Sequence, residues 1–462
     1  PMTGAAEIYI EGSPAERRAG HLDANGLALG LDIERVTRPR LIGAIFLARV
    51  KAVDKRLGAA FLDLGAAGIG LLSKAKDITE GEAVLVQITR DAHDDKGPAA
   101  VRQPVLWGRY LGLQPGRGGG LQCARALGQG KHRAEALAAA ESGIADPTDL
   151  ILRGPSWTVS GAELKAEADR LRATWADIQA RAKTEKAPAL LLPTTPFIET
   201  MLRDAGPEAR VALDDRLDFA TAEKLCAEYF PDLSEGLAFH NDPAPIFDAS
   251  GLSDILEQAL GAEVTLTGGG RLTIEQTRAL TSIDVDMGAG EAGASTKDEA
   301  IHRLNRRASE EIARQIILRR LSGLIVIDFA GLTGRGKMKT FLDILRSRLK
   351  NAETHSDVLG ISPSGLVEIT RQRMGPSLAD LCLSPVAYPP AAPDALAADA
   401  LRRALRLQGA GKPVVALPDS AAAVLNGNMK AAREACEKRL GQPLILKPGA
   451  AKLDVRLERD PA

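Results

Sequence analysis

Two short stretches could bring carboxylates together. In "ALTSIDVD", a strand's period of two puts Thr281, Ile283 and Val285 on one face and Ser282, Asp284 and Asp286 on the other. In "LIVIDFAGLTGRGKMKT", residues 324–340, the continuous apolar run predicts a strand buried on both sides whose carboxyl end delivers Asp328. Acids alternating at a strand end are ordinarily solvated. Carboxylates converging from neighbouring strands, outside the carboxyl ends of an α/β sheet, would instead make the oxygen-rich, partly hydrated site that magnesium prefers. Asp284 and Asp328 are the candidate ligands, with Asp286 as a third.

The same stretch has a rival reading. Gly331, Gly336 and Lys337 follow the phosphate-loop spacing up to its last position, where Met338 cannot supply the magnesium-binding hydroxyl. The acid also lies before the loop rather than on a later strand, which argues against a nucleotide hydrolase. There is no G-x-S-x-G elbow, and the six histidines show no metal-ligand spacing. Cations do gather near the acids: Arg303, Arg306 and Arg307, then Arg335, Lys337 and Lys339, then Arg371 and Arg373. They suit either a solvated surface or a rim around a metal that handles a phosphodiester.

The elements that must position these residues follow from the rest of the chain. Its 462 residues suffice for roughly three domains, and 45% hydrophobic content is ample for buried cores. A net charge of −1 neither supports nor excludes a polyanionic partner, because basic and acidic clusters offset one another. The four cysteines lie far apart without a C-x-x-C pair, as reduced thiols of the cytoplasm do, and no apolar run reaches the length of a membrane span. Residues 6–36 read as antiparallel strands, and 41 to about 104 as short strands with the rhythm of a small closed OB-like barrel. A long helix is predicted from about 161 to 183, and domain boundaries fall near 107 and 197. A hairpin with a Gly turn precedes "ALTSIDVD", and Ile301, Leu304, Ala308, Ile312 and Ile316 space a helix after it. "SPVAYPPAAPDALAADA" is a Pro/Ala linker to a small mixed domain from about 398.

"LTSIDVD", "EEIARQIILRRLSGLIVIDF" and "SGLVEITRQRMGPSL" resemble the catalytic core of the ribonuclease E and ribonuclease G family. The resemblance implies a multidomain α/β protein: an RNase H-like platform (1–37 and 198–260), an inserted S1-type OB domain (38–106), a 5′-sensor-like region (107–197), a DNase I-like catalytic subdomain (261–380), a linker (381–397) and a small C-terminal α/β domain (398–462). It implies an endoribonuclease that cuts single-stranded RNA, ribosomal or messenger, during processing or turnover.

Asp284 and Asp328 match the aspartates that hold catalytic Mg²⁺ in that family. Asp286 stands where the family usually has Asn, which could shift preference toward Mn²⁺. Asn305 resembles a polar residue near the site. The mechanism so implied is in-line attack of a metal-oriented water, leaving 5′-phosphate and 3′-hydroxyl ends. Phe61 and Lys96 match positions that grip RNA by stacking and charge, although Leu71 replaces a second aromatic. Arg153 matches the arginine that contacts a 5′-monophosphate, next to Gly154 where the family has Thr. Of the family's zinc cysteines only Cys382 remains, which argues against a zinc-joined dimer, while the C-terminal domain resembles one that dimerises. The resemblance is to a compact member of the family rather than to relatives with a long scaffold-forming extension. The alternatives are a non-catalytic RNA-binding relative and an assembly factor whose nuclease acts only when bound to a ribosomal or other protein partner.

Overall fold

The alternating segments near the N-terminus become three antiparallel strands, Glu7–Gly12, Glu16–Leu22 and Ala28–Arg35. The first also pairs in parallel with Arg210–Leu213, which pairs in parallel with Leu237–Phe239, so a sheet begun at the N-terminus is completed much later in the chain. Helices Phe197–Asp204 and Arg216–Tyr229 cover one face through Ile8, Ile10, Met201, Leu202 and Cys226. Leu22, Leu31 and Ile33 on the other face meet Phe247, Leu252 and Leu318. This computed structural model describes residues 5–75, 77–93, 96–288, 296–331, 335–350, 354–384 and 391–459.

Between the two halves of that sheet the chain makes the expected barrel. Strands Ile45–Asp54, Ala59–Asp63, Ile69–Ser73, Ala99–Val101 and Ala83–Arg90 are neighbours in that order, and the last pairs back onto the first, closing five strands around Val50, Leu62, Leu72, Val86 and Ile88. Closure is tight: a Cβ at Gly97 would lie 1.8 Å from the Ile69 carbonyl oxygen. Gln87 donates to the Val105 carbonyl and accepts from its N–H, pinning the exit from the barrel.

A four-stranded sheet follows, from Leu106–Trp107, Leu111–Leu113, Gln122–Cys123 and Leu150–Leu152. The long helix runs Gly161–Thr184, opened by a capping box between Ser160 and Glu163. Inside it Glu167 accepts the N–H groups of Arg109, Tyr110 and Leu111 at 2.7–2.8 Å. Fully buried Arg109 donates to Asp232 at 2.5 Å and to the Leu202 and Ala205 carbonyls, and so joins this sheet to the platform.

The sheet that carries the acids has six strands in the order Glu263–Thr265, Arg271–Gln276, Leu280–Asp286, Gly323–Asp328, Val367–Arg371, Ser356–Ile361. Leu272, Ile274, Ile283, Val285, Ile325, Ile327 and Ile369 pack against helix Lys297–Leu318 and, through Phe341 and Leu345, against Arg335–Lys350. The first helix carries the predicted apolar stripe. Arg320, just beyond it, reaches Asp32 of the platform, which is also 2.9 Å from His21 Nε2.

"LIVID" corrects the expectation of burial on both sides. Ile325 and Ile327 are buried, whereas Leu324 is 37% exposed, Val326 half-buried and Asp328 exposed. Both helices pack on one face, so the other remains open to solvent despite its apolar composition. Composition alone does not report which face a helix covers.

A second compact unit, Ser384–Ala462, places Lys412–Ala416 between a parallel Ile445–Lys447 and an antiparallel Asp454–Glu458, over a core that includes Leu401, Val415, Leu425 and Cys436. All four cysteines are free thiols. Among the described residues no helix is long and apolar enough to cross a membrane.

Candidate catalytic face

Asp284 and Asp328 occupy the same register position on two adjacent parallel strands. Paired residues of a parallel ladder face the same way, and neighbouring strands run about 4.8 Å apart. The two carboxylates therefore rise side by side from the open face, each at or near its strand's carboxyl end and each exposed. No hydrogen bond or ion pair reaches either one among the described residues. Two like charges at that spacing repel, and a hard cation between them would remove the repulsion.

The residues fit such an ion as a pair rather than as a cage. Among the described residues no group of three or more His, Cys, Asp or Glu side chains is arranged to hold a metal. Two carboxylates leave most of an octahedral shell to water and substrate oxygens, which is how magnesium is commonly bound.

Asp286 shares the open face but sits one pleat farther on. Its Oδ1 accepts the Gly288 N–H at 3.2 Å, its Oδ2 accepts Arg271 Nη2 at 3.1 Å, and the backbone donor followed by the guanidinium holds the carboxyl below its usual range. Arg271, which the sequence reading missed, also binds Glu263 at 3.0 Å. Its signal was the antiparallel hairpin, whose register sets Arg271 opposite Asp286. Two glycines at positive φ, Gly270 and Gly288, let the hairpin's turn approach the end of the acidic strand.

Asn305 lies beneath the face rather than on it. It is 0% exposed on helix Lys297–Leu318, and its Nδ2 donates to the Ala330 carbonyl at 2.8 Å, two residues beyond Asp328. Its Oδ1 has no hydrogen-bond partner among the described residues. The side chain ties the turn after the Gly323–Asp328 strand to the helix.

The structure separates the expected cations. Arg371 is 8% exposed, with Nη1 donating to the Leu321 carbonyl at 2.8 Å, so its guanidinium braces the entry to the Gly323–Asp328 strand, at the end away from Asp328. Arg373 is half-buried and donates to Ser322 Oγ at 3.0 Å in the same turn. Both were expected on an RNA-facing rim; an arginine's long stem instead lets it reach back to a backbone carbonyl or hydroxyl. Lys339 is exposed, whereas the side chains of Arg335 and Lys337 and residues 332–334 of the glycine-rich loop lie outside the described residues.

On the barrel, Phe61 is 39% exposed and paired with Leu71 of the next strand, and Lys96 is exposed in a two-residue bridge with His93. Phe61 thus belongs to the surface and not to the barrel core. Arg153 is 6% exposed, donates to the Gly108 carbonyl and to Asp204 Oδ1 at 2.7 Å, and lies 5.5 Å from the Trp107 ring centroid. Burial alone would raise the Asp204 carboxyl, but its hydrogen bond to Arg203 and the charges of Arg203 and Arg153 hold it well below the usual carboxylate range. The guanidinium expected to greet a terminal phosphate already has a carboxylate.

Comparison with known proteins gives the family. Residues 105–374 match the family described as "Ribonuclease E/G family", a span that includes both aspartate-bearing strands. The chain is 28% identical over 393 residues to Ribonuclease G of Salmonella typhimurium (strain SL1344), covering 80% of each protein. It is 29% identical over 398 residues to Ribonuclease G of Escherichia coli (strain K12), covering 81% of each. Ribonuclease E of the same E. coli strain is 29% identical over 375 residues, which cover 76% of this chain and 35% of that longer protein. The chain belongs to the ribonuclease E/G family.

Proposed function

We propose that this protein is a metal-dependent endoribonuclease that cuts single-stranded RNA during RNA processing or turnover. The observation that carries the reading is the pairing of Asp284 with Asp328 on adjacent parallel strands, exposed and side by side. A non-catalytic RNA binder would gain nothing from two like charges held together on a surface that has to meet phosphates.

A Mg²⁺ ion held by these carboxylates would supply Lewis-acid stabilisation of charge on the phosphate and acidify a bound water. The chain's own part is positional. The parallel ladder sets the spacing of the carboxylates, Asn305 anchors the turn beyond Asp328, and Arg271 neutralises Asp286. Asp286 thereby adds less repulsion toward an incoming phosphate than a bare carboxylate would.

The topology also supports the domain reading. Three antiparallel strands continued by two parallel ones suit an RNase H-like platform over 1–37 and 198–260, and the closed five-stranded barrel suits an S1-type module over 38–106. The 107–197 region, the helix-backed six-stranded sheet of a DNase I-like 261–380 and the small domain over 398–462 complete it, and that last domain is the proposed seat of homo-oligomer contacts.

Incubating a labelled single-stranded RNA with the protein and Mg²⁺ or Mn²⁺ tests the reading. We expect internal cleavage to 5′-phosphate and 3′-hydroxyl products that disappears in the Asp284→Asn, Asp328→Asn double variant. Equal cleavage by the double variant would sink it.

A further inference from the structure

Between Asp95 and Glu135 the chain contains no acidic residue and seven basic ones. Arg109 is consumed in the buried joint to the platform. The other six, Lys96, Arg102, Arg117, Arg125, Lys131 and Arg133, are exposed or half-exposed. In a chain whose net charge is −1, an unbroken basic run of this length is a local field that favours a polyanion.

The same module holds all three tryptophans of the chain, at 107, 157 and 175, although aromatics make up only 3% of it. Trp107 lies against Gly112, where a Cβ would come within 2.5 Å of the ring, and yet it remains 44% exposed. Beside it is Arg153, and the turn that begins at the next residue carries Trp157, whose ring stacks on exposed His132 at 4.0 Å between centroids and 15° between planes. Lys131 has an exposed ion pair with Glu135 at 3.5 Å, and Arg153 is taken by Asp204, which leaves the exposed Arg102 and Arg125 as the charges most open to phosphates. Exposed rings beside such cations are what sequence-tolerant binding of single strands uses: bases stack on the rings while phosphates meet the charges.

We propose that residues 102–134, with Trp107 and the His132–Trp157 stack, form a second contact for single-stranded RNA, apart from the barrel positions Phe61 and Lys96. It holds internal nucleotides by base stacking and lies on a different sheet from the paired aspartates. The proposal rests on the reading of RNA as substrate but not on the reading of the acids as catalytic.

The test uses the full chain carrying Asp328→Asn, titrated with a 5′-hydroxyl oligouridine of about 12 nucleotides, a length within the usual range for single-strand sites. Fluorescence anisotropy of a labelled oligonucleotide reports binding, and intrinsic tryptophan emission reports contact with this module, because the chain has tryptophan nowhere else. We expect emission to be quenched in step with binding. Trp107→Phe, which keeps a ring over Gly112, should bind as before and lose most of the quench, while Trp107→Ala should weaken binding roughly tenfold. The double variant Arg125→Ser, Lys131→Ser should make the dependence of log affinity on log salt shallower by about 1.4, the single-strand slope for two contacts.

Binding with unchanged emission, or a Trp107→Ala and an Arg125→Ser, Lys131→Ser variant that both bind like the parent, would overturn the proposal. Quenching by a protein that never cleaves RNA would support this inference while removing the catalytic one. Cleavage by the wild type together with binding that leaves emission untouched would do the reverse.

Discussion

On the open face of the six-stranded sheet, Asp284 and Asp328 stand next to each other in solvent with no partner among the described residues. In the sheet around Leu150–Leu152, the charged groups at the centre are buried and engaged: Arg109 with Asp232 and two carbonyls, Arg153 with Asp204 and the Gly108 carbonyl. The difference separates charge kept available for a ligand from charge used to hold modules together. In the first region a substitution should change chemistry and leave folding alone; in the second it should change folding.

Removing one partner of the buried pair gives the largest expected effect on stability. Arg109→Ala leaves the buried Asp232 without its counter-charge, with the Tyr110 hydroxyl still donating to it, and takes a donor from the Leu202 and Ala205 carbonyls; we expect a loss of roughly 3–5 kcal/mol in urea unfolding. Asp328→Asn should reverse the pattern. Cleavage should fall on the order of a thousandfold, as when a principal electrostatic group is lost, with stability unchanged within about 0.5 kcal/mol as for an exposed site. If Asp328→Asn unfolds the protein, or Arg109→Ala leaves stability intact, the contrast between the regions fails.

Asn305 sharpens the boundary, since it is buried like the second group and serves the first. Asn305→Ala should cost about 1–3 kcal/mol of stability by orphaning the Ala330 carbonyl, and should raise the Mg²⁺ concentration needed for half-maximal cleavage more than it lowers the rate at saturation. A drop in saturated rate with unchanged metal dependence would place Asn305 in the chemistry rather than beneath it.

Asp204 offers a smaller effect, read by pH. Its folded carboxyl titrates below the unfolded value near about 4, so its contribution is present above that pH and is lost as pH falls. Asp204→Asn should flatten the acid side of the Tm profile. An unchanged profile would mean that Arg153 is held by other contacts. Smallest of all, 5′-monophosphorylated and 5′-hydroxyl forms of one RNA should be cleaved within about twofold of each other, because the donors of Arg153 are already occupied. A strong preference for the monophosphate would show that the Asp204 pair opens for substrate.

Local periodicity made the acids legible. Alternation in "TSIDVD" assigned Asp284 and Asp286 to one face, and the end of "LIVID" placed Asp328 at a strand's carboxyl end, without any need for tertiary information. Barrel closure was legible for the same reason, as a rhythm of short strands and turns. The partners of the long cations were not. Arg371 and Arg153 reach carbonyls and a carboxylate that lie far away in sequence, Leu321 and Asp204, and no spacing rule encodes such contacts. The open side of "LIVID" was hidden too, because helix placement is a property of the whole sheet.

The account's central claim is that Asp284 and Asp328 share one divalent cation. Titrating the wild type and each single Asn variant with Mn²⁺, and reading free ion by electron paramagnetic resonance, tests it without any RNA. One strong site per chain in the wild type, displaced by Mg²⁺ and lost in Asp284→Asn and Asp328→Asn alike, is the predicted result. A site that survives either substitution unchanged, or a wild type that takes up no ion under conditions where RNA is cut, would contradict it.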